Sequence, residues 1–136
     1  MEIIGIGSDI VECVRIGRLI ERHGEVFLAR VYTAREIRYC QSRKHVTEHF
    51  AGRWAAKEAV FKALGTGWRR GWSWSDLEIR NDDDGRPRVH VGGAARDRVH
   101  ALRVADILVS ISHCRAYATA HALAVRDDAA GRGPGS

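Results

Sequence analysis

The chain has 136 residues, 45% of them hydrophobic and 29% charged, the composition of one ordinary globular domain with no room for a second. Lysine and arginine outnumber aspartate and glutamate by 22 to 17, a formal charge of +5, so the surface attracts anions without specifying which. No stretch approaches the roughly 20 apolar residues that cross a bilayer, and Glu2 and Asp9 stand where an export signal carries lysines; three scattered cysteines, Cys13, Cys40 and Cys114, match neither a zinc pattern nor a disulfide framework. The expectation is a cytoplasmic protein with no membrane partner.

Glu2 to Asp9 reads as a short strand, loosened by Gly5 and Gly7 so that something can approach its backbone closely. From about Glu12 to Arg22, Ile16, Leu19 and Ile20 recur at helical spacing, with Gly24 as the stop. Thr33 followed by Glu36 is a capping box that opens a helix running to about Cys40. The longest helical signal runs from about Val46 to Leu64 and ends at Gly65-Thr66-Gly67. Leu77 to Arg80 and Val89 to Val91 flank the turn Asp82-Asp83-Asp84-Gly85 as a strand pair. A short helix from about Ala94 to Leu102 precedes two more strands, Ile107 to Ile111 and Tyr117 to Val125. Residues 1–126 form the expected domain, and 127–136 a polar, Gly-rich, disordered tail. This order predicts an α+β fold.

On a helical wheel Phe50, Trp54, Phe61 and Leu64 fall within an arc of about 80°, the expected core side. Lys57 projects into that arc and Glu58 lies beside it. The plain reading is a Glu58–Lys62 pair four residues apart, with Lys57 laid along apolar surface. The functional reading is an acid held for a hard cation, with lysines beside it for phosphate oxygens. Magnesium takes oxygen ligands and is commonly held by one or two carboxylates plus substrate phosphates. Asp9 is the natural second carboxylate, unless it caps the following helix.

Two other patterns are weaker. His45-Val46-Thr47-Glu48-His49 has the H-x-x-E-H spacing of inverted zinc peptidases, but such an enzyme needs a third ligand and a larger chain. Ser112-His113-Cys114 looks like a nucleophile pair, yet neighbours on a strand point to opposite faces; His113 is better suited to an anionic ligand. The aromatic-basic pattern of a nucleic-acid-binding sheet is missing, so a nucleic-acid partner is not expected, and a basic non-catalytic module is the alternative to an enzyme.

Taken together, Gly5-Ile6-Gly7-Ser8-Asp9-Ile10-Val11-Glu12, Phe27 with Arg30-Val31-Tyr32-Thr33 and Glu36, the block Phe50-Ala51-Gly52-Arg53-Trp54-Ala55-Ala56-Lys57-Glu58-Ala59 running into Lys62-Ala63-Leu64-Gly65-Thr66-Gly67, and Ser110-Ile111-Ser112-His113 with Tyr117-Ala118 resemble the holo-acyl-carrier-protein synthases, the small 4'-phosphopantetheinyl transferases. Ser8, Trp54 and Cys114 depart from the family's usual residues. The resemblance implies a small antiparallel sheet with one long central helix and shorter helices. It implies transfer of phosphopantetheine from coenzyme A to a serine of apo acyl carrier protein, in fatty acid biosynthesis and lipid metabolism, with adenosine 3',5'-bisphosphate released.

By the same resemblance Asp9 and Glu58 would hold Mg2+, and Lys62 would contact phosphate oxygens as the third catalytic residue. Arg53 and His113, with Lys44, would hold the adenosine phosphates, and Gly65, Thr66 and Gly67 would line the nucleotide's path. A homotrimer with sites between subunits is implied as well. Arg15, Arg18 and Arg22 fall within about 60° on the predicted first helix and form a candidate docking stripe for the acidic carrier protein.

Overall fold

Between Val46 and Ala63 the chain places small residues on one side of a helix and bulky ones on the other, and both sides are used. The computed structural model describes residues 1–65 and 72–128. In chain order it has strand β1 (Glu2–Glu12), helices α1 (Cys13–Val31), α2 (Ala34–Gln41) and α3 (Val46–Ala63), a 3-10 turn at Trp74–Asp76, strands β2 (Leu77–Asn81) and β3 (Pro87–Val91), helix α4 (Gly93–Ala101), and strands β4 (Asp106–His113) and β5 (Tyr117–Arg126). The strands form an antiparallel sheet in the order β1-β5-β4 and a separate β2-β3 hairpin. This is the expected α+β architecture, with α3 packed across the larger sheet.

The single core-facing arc expected for α3 is corrected: the helix is enclosed on two sides. Phe50, Phe61 and Leu64 are buried on the bulky side, where Trp54 stacks on Trp74 with ring centroids 4.5 Å apart. Ala51, Ala55, Ala59 and Ala63 are equally buried on the other side, facing a sheet whose β5 contributes Ala118, Ala120, Ala122 and Ala124. Alanine facing alanine lets helix and sheet approach closely, and β1 goes further by having no side chain at the contact. A Cβ on Gly7 would lie 1.9 Å from the Ala59 carbonyl oxygen, and one on Gly5 1.7 Å from that of Ala63. The close approach expected at these glycines is therefore made by α3 itself.

Two boundaries differ from expectation. β1 runs on to Glu12, because Asp9, Ile10 and Val11 continue the ladder with Ala120, Thr119 and Ala118. Gly24 does not end α1 but kinks it, at φ 53° and ψ −131°, and the helix resumes because Leu28 and Val31 belong to the core. The capping box before α2 forms as predicted: Thr33 Oγ1 accepts from Glu36 N at 3.2 Å, and Glu36 Oε1 accepts from Thr33 N at 2.9 Å.

Glu36 does more than cap. Its side chain is buried, and the Lys57 ammonium, fully buried, donates to Glu36 Oε1 at 2.6 Å, to the Val31 carbonyl at 2.7 Å and to that of Trp74 at 3.2 Å. Glu36 Oε2 accepts from Ile79 N at 2.8 Å. This ion pair joins α1, α2, α3, the 3-10 turn and β2. Burial draws the Lys57 ammonium below the ordinary lysine range, and the Glu36 carboxylate opposes that. Lys57 is thus neither laid along the surface nor available for phosphate.

The β1–α3 contact yields a direct test. Gly7→Ala should destabilise the fold by about 3 kcal/mol, because the Ala59 carbonyl is helix backbone and cannot yield as a flexible side chain would. Denaturant unfolding measures this, and wild-type stability in the variant would show that the strand is not held against the helix.

Candidate active site

Asp9 lies in β1 two residues beyond Gly7, on the face turned toward α3. The residue before α1 is Glu12, with no side-chain capping bond, so Asp9 is not that helix's cap and is free for other work. Lys62, from the last turn of α3, donates to Asp9 Oδ1 at 3.2 Å and to the Ser8 carbonyl at 2.9 Å. The surface pair predicted between Glu58 and Lys62 gives way to this one, since β1 brings a carboxylate to the helix end.

Glu58 is half-buried between them. Burial raises its carboxyl above the ordinary glutamate range, the Asp9 charge raises it further, and Lys62 and Arg15 pull it down. Two carboxylates repelling each other beside an ammonium form a site that a cation would relieve. Among the described residues no group of three or more His, Cys, Asp or Glu is set to hold a metal ion. A pair of carboxylates instead fits a magnesium ion that takes its remaining ligands from water and substrate oxygens. Arg15 leans from α1 over the Trp54 ring, 5.8 Å from its centroid, and borders a surface cavity of about 420 Å³ with Glu12, Arg18 and Arg22. The arginine stripe therefore begins beside the carboxylates.

Of the other predicted ligand residues, Arg53 and His113 meet on the opposite flank of α3. Arg53 is almost completely buried, its guanidinium 4.3 Å from the centroid of Tyr39, and its Nε is buried with no hydrogen-bond partner among the described residues. His113, the last residue of β4, has Nδ1 2.9 Å from Glu48 Oε1 and meets the ring of His49 edge-on at 4.8 Å. Arg53, His49 and His113 line a cavity of about 160 Å³, closed by Tyr39, Asn81 and Ile111. Lys44 is not in it; it borders a separate cavity of about 370 Å³ with Cys13, Thr47, Glu48 and Arg115. Gly65 ends α3 in the left-handed region at φ 77°, while Thr66 and Gly67 lie outside the described residues.

The H-x-x-E-H pattern is used for hydrogen bonding: Glu48 turns to His113, whose bond lowers the Glu48 carboxyl, and His45 approaches it at 3.8 Å. His49 is lowered chiefly by burial and then by the positive charge of its neighbours. Cys40 is buried and its thiol pushed up to about 12, which makes it inert. Sequence reasoning missed the Glu48–His113 and Arg53–Tyr39 contacts. The first joins residues 65 apart in the chain, and no local spacing announces it.

Asp9 and His113 stand on the two outer strands of the β1-β5-β4 sheet, roughly 10 Å apart across the strands, with α3 lying between. Glu58 and Arg53 are separated by about 140° around that helix. The structure thus groups Asp9, Glu58, Lys62 and Arg15 on one flank, and Arg53 and His113 on the other.

Known proteins share both the sequence and the fold of this chain. Residues 5–124 match the family model of the 4'-phosphopantetheinyl transferase superfamily. The holo-acyl-carrier-protein synthase of Protochlamydia amoebophila is 48% identical over 120 residues, covering 88% of this chain and 96% of that protein. The Neisseria meningitidis holo-acyl-carrier-protein synthase crystal structure superposes with a TM-score of 0.83 at 32% identity, covering 91% of this chain and 99% of the other. The Bacillus anthracis holo-acyl-carrier-protein synthase, solved in complex with CoA (3',5'-ADP), gives a TM-score of 0.77 at 34% identity, covering 93% and 100% of the two chains. A family model spanning almost the whole chain, relatives near half identity and the shared fold agree: the chain belongs to the 4'-phosphopantetheinyl transferase superfamily and is a holo-acyl-carrier-protein synthase.

Proposed function

We propose that residues 1–126 carry out Mg2+-dependent transfer of 4'-phosphopantetheine from coenzyme A to a serine of an acidic apo acyl carrier protein, releasing adenosine 3',5'-bisphosphate. The observation that carries this reading is the Asp9–Glu58 carboxylate pair beside Lys62, with Glu58 raised by burial and by Asp9. The carrier serine oxygen bonds to the phosphorus that bears pantetheine, the pyrophosphate bond to the adenosine phosphate breaks, and the serine proton must leave. Phosphoryl transfer asks the protein for positioning and charge neutralisation more than for covalent help. Mg2+ held by Asp9 and Glu58 would supply neutralisation of the pyrophosphate. Lys62 binds its oxygens, and the serine proton passes to Glu58 or to water in the site.

Arg53 and His113 bind the adenosine phosphates. That Arg53 and His113 line one cavity supports this, as does the 3',5'-ADP complex of the B. anthracis relative. Lys44 adds positive charge from the neighbouring cavity, and Gly65, Thr66 and Gly67 line the nucleotide's path. One ligand touching both flanks of α3 within one protomer would have to pass over the helix, so we take the complete site to lie between subunits of a homotrimer. Exposed Ile6 and Ile10 on the outer side of β1 supply apolar surface for such an assembly. The setting is cytoplasmic fatty acid and lipid metabolism; among the described residues no helix is long and apolar enough to cross a membrane.

Incubation with coenzyme A, Mg2+ and apo carrier protein, followed by intact mass, should show addition of the phosphopantetheine arm. Asp9→Ala and Glu58→Ala should each lower turnover by about two orders of magnitude or more while leaving the chain folded. Near-normal turnover in either variant would remove that residue from the site. The arginine stripe makes a separate prediction. Reversing Arg15 and Arg22 to Glu should raise KM for the carrier and leave coenzyme A affinity nearly unchanged, and the wild-type KM should rise with salt as screening over about 8 Å weakens attraction. A salt-independent KM would make the stripe an ordinary solvated face.

A further inference from the structure

Behind His113, outside the lining of the cavity it shares with Arg53, stands a carboxylate. Glu48 sits in the first turn of α3 and gives its Oε1 to His113 Nδ1 at 2.9 Å. An ionised carboxylate can only accept, so this bond keeps a proton on Nδ1. In the uncharged ring the other nitrogen, Nε2, then presents a bare lone pair. Against a phosphate oxygen that is acceptor facing acceptor.

Resting on the reading that His113 binds the adenosine phosphates, and placing it on the 3'-phosphate of coenzyme A, we propose that Glu48 is a positioning residue that, by fixing the His113 tautomer, makes recognition of that phosphate require one bound proton. The contact becomes a hydrogen bond only with a proton between Nε2 and the phosphate oxygen. It counts the same whether it comes from the ring or from the phosphate, whose second ionisation falls near ~6.

The surroundings support this assignment. The bond to His113 holds the Glu48 carboxyl below the ordinary glutamate range, so it stays acceptor-only through neutral pH. From α3, His49 and Arg53 also face the pocket; from the segment before it come Arg43, which acts on His49, and His45, 3.8 Å from Glu48. From α2 comes Tyr39, in edge contact with His49 at 5.7 Å and beneath Arg53. The β2–β3 hairpin contributes Asn81, Gly85 and Pro87, none of them charged, and Arg115 lies in the β4–β5 turn bordering the cavity beyond Glu48. Burial and its cationic neighbours favour the uncharged form of His49, so it does not replace the His113 proton.

The test is calorimetric binding of coenzyme A and dephospho-coenzyme A, from about pH 6 to about pH 8.5, to the wild-type protein, Glu48→Gln and His113→Ala. In the wild type, coenzyme A binding should weaken by roughly 30-fold or more across that range, and dephospho-coenzyme A binding should change much less. In Glu48→Gln the amide can donate to Nδ1, leaving Nε2 protonated on an uncharged ring, so the slope should flatten to under about threefold. A Glu48→Gln slope equal to wild type, a wild type with no slope, or equal loss of both ligands in Glu48→Gln overturns the proposal. His113→Ala separates the two layers. If it keeps full preference for coenzyme A over dephospho-coenzyme A, the placement of His113 on the phosphate fails. If it loses that preference while Glu48→Gln behaves as wild type, only the role of Glu48 fails.

Discussion

The arrangement of Asp9, Glu58 and Lys62 depends on one backbone contact. Gly5 and Gly7 of β1 lie against the Ala63 and Ala59 carbonyls of α3, closer than any side chain would allow. Glu58 precedes Ala59 and Lys62 precedes Ala63, so the residues β1 touches are the immediate neighbours of two catalytic candidates. Asp9, two positions beyond Gly7 and therefore on the same face of the strand, is delivered to Lys62 by the same contact. Glycine here specifies distance. A strand standing off by the thickness of a methyl group would leave Asp9 short of the Lys62 ammonium and reduce the charge it imposes on Glu58.

Helix α3 positions residues and also separates them. Its small side packs on the sheet, its bulky side on the aromatic cluster, and Lys57 ties it directly to α1 and, through Glu36, to α2 and β2. A buried ion pair is weak evidence for net stability, because desolvation of both charges opposes their attraction. It does fix geometry: a lysine with three acceptors, each from a different element, has little freedom to shift. Glu58 follows Lys57 directly, so the carboxylate proposed for catalysis stands next to one of the most constrained residues of the fold. The cost of this rigidity is that the same helix body lies between the carboxylates on the β1 flank and the residues proposed for the adenosine phosphates on the β4 flank. That division is the physical argument for a site completed by a second copy of the chain.

Much of this was legible in the residues. The capping box at Thr33, the extent of α3 and all five strands follow from local patterns of caps, glycines and alternation, and Asp9, Glu58 and Lys62 do come together. What local patterns could not supply was partnership across the chain. Lys57 looked like a surface-lying or phosphate-binding lysine because its partner, Glu36, was already accounted for by a cap, and one carboxylate filling both roles leaves no second trace. Glu58 and Lys62 looked like a helical pair because four-residue spacing is local, whereas the competing partner, Asp9, comes from the first strand. Gly24 looked like a stop because glycine commonly is one; the core demand of Leu28 and Val31 restarts the helix beyond it. Glu48 was visible only as part of a zinc-like pattern, and its real partner is in β4.

The central claim is that transfer needs the Asp9–Glu58–Lys62 flank of one copy and the Arg53–His113 flank of another. Co-expression of Glu58→Ala with His113→Ala, assayed at a coenzyme A concentration where each alone is nearly inactive, tests it most directly. If the site is shared, mixed assemblies contain some interfaces with both flanks intact, and the purified mixture should regain a substantial fraction of wild-type transfer. If the site lies within one protomer, every copy in the mixture carries a defect, and assemblies shown to contain both chains would remain as inactive as the parents.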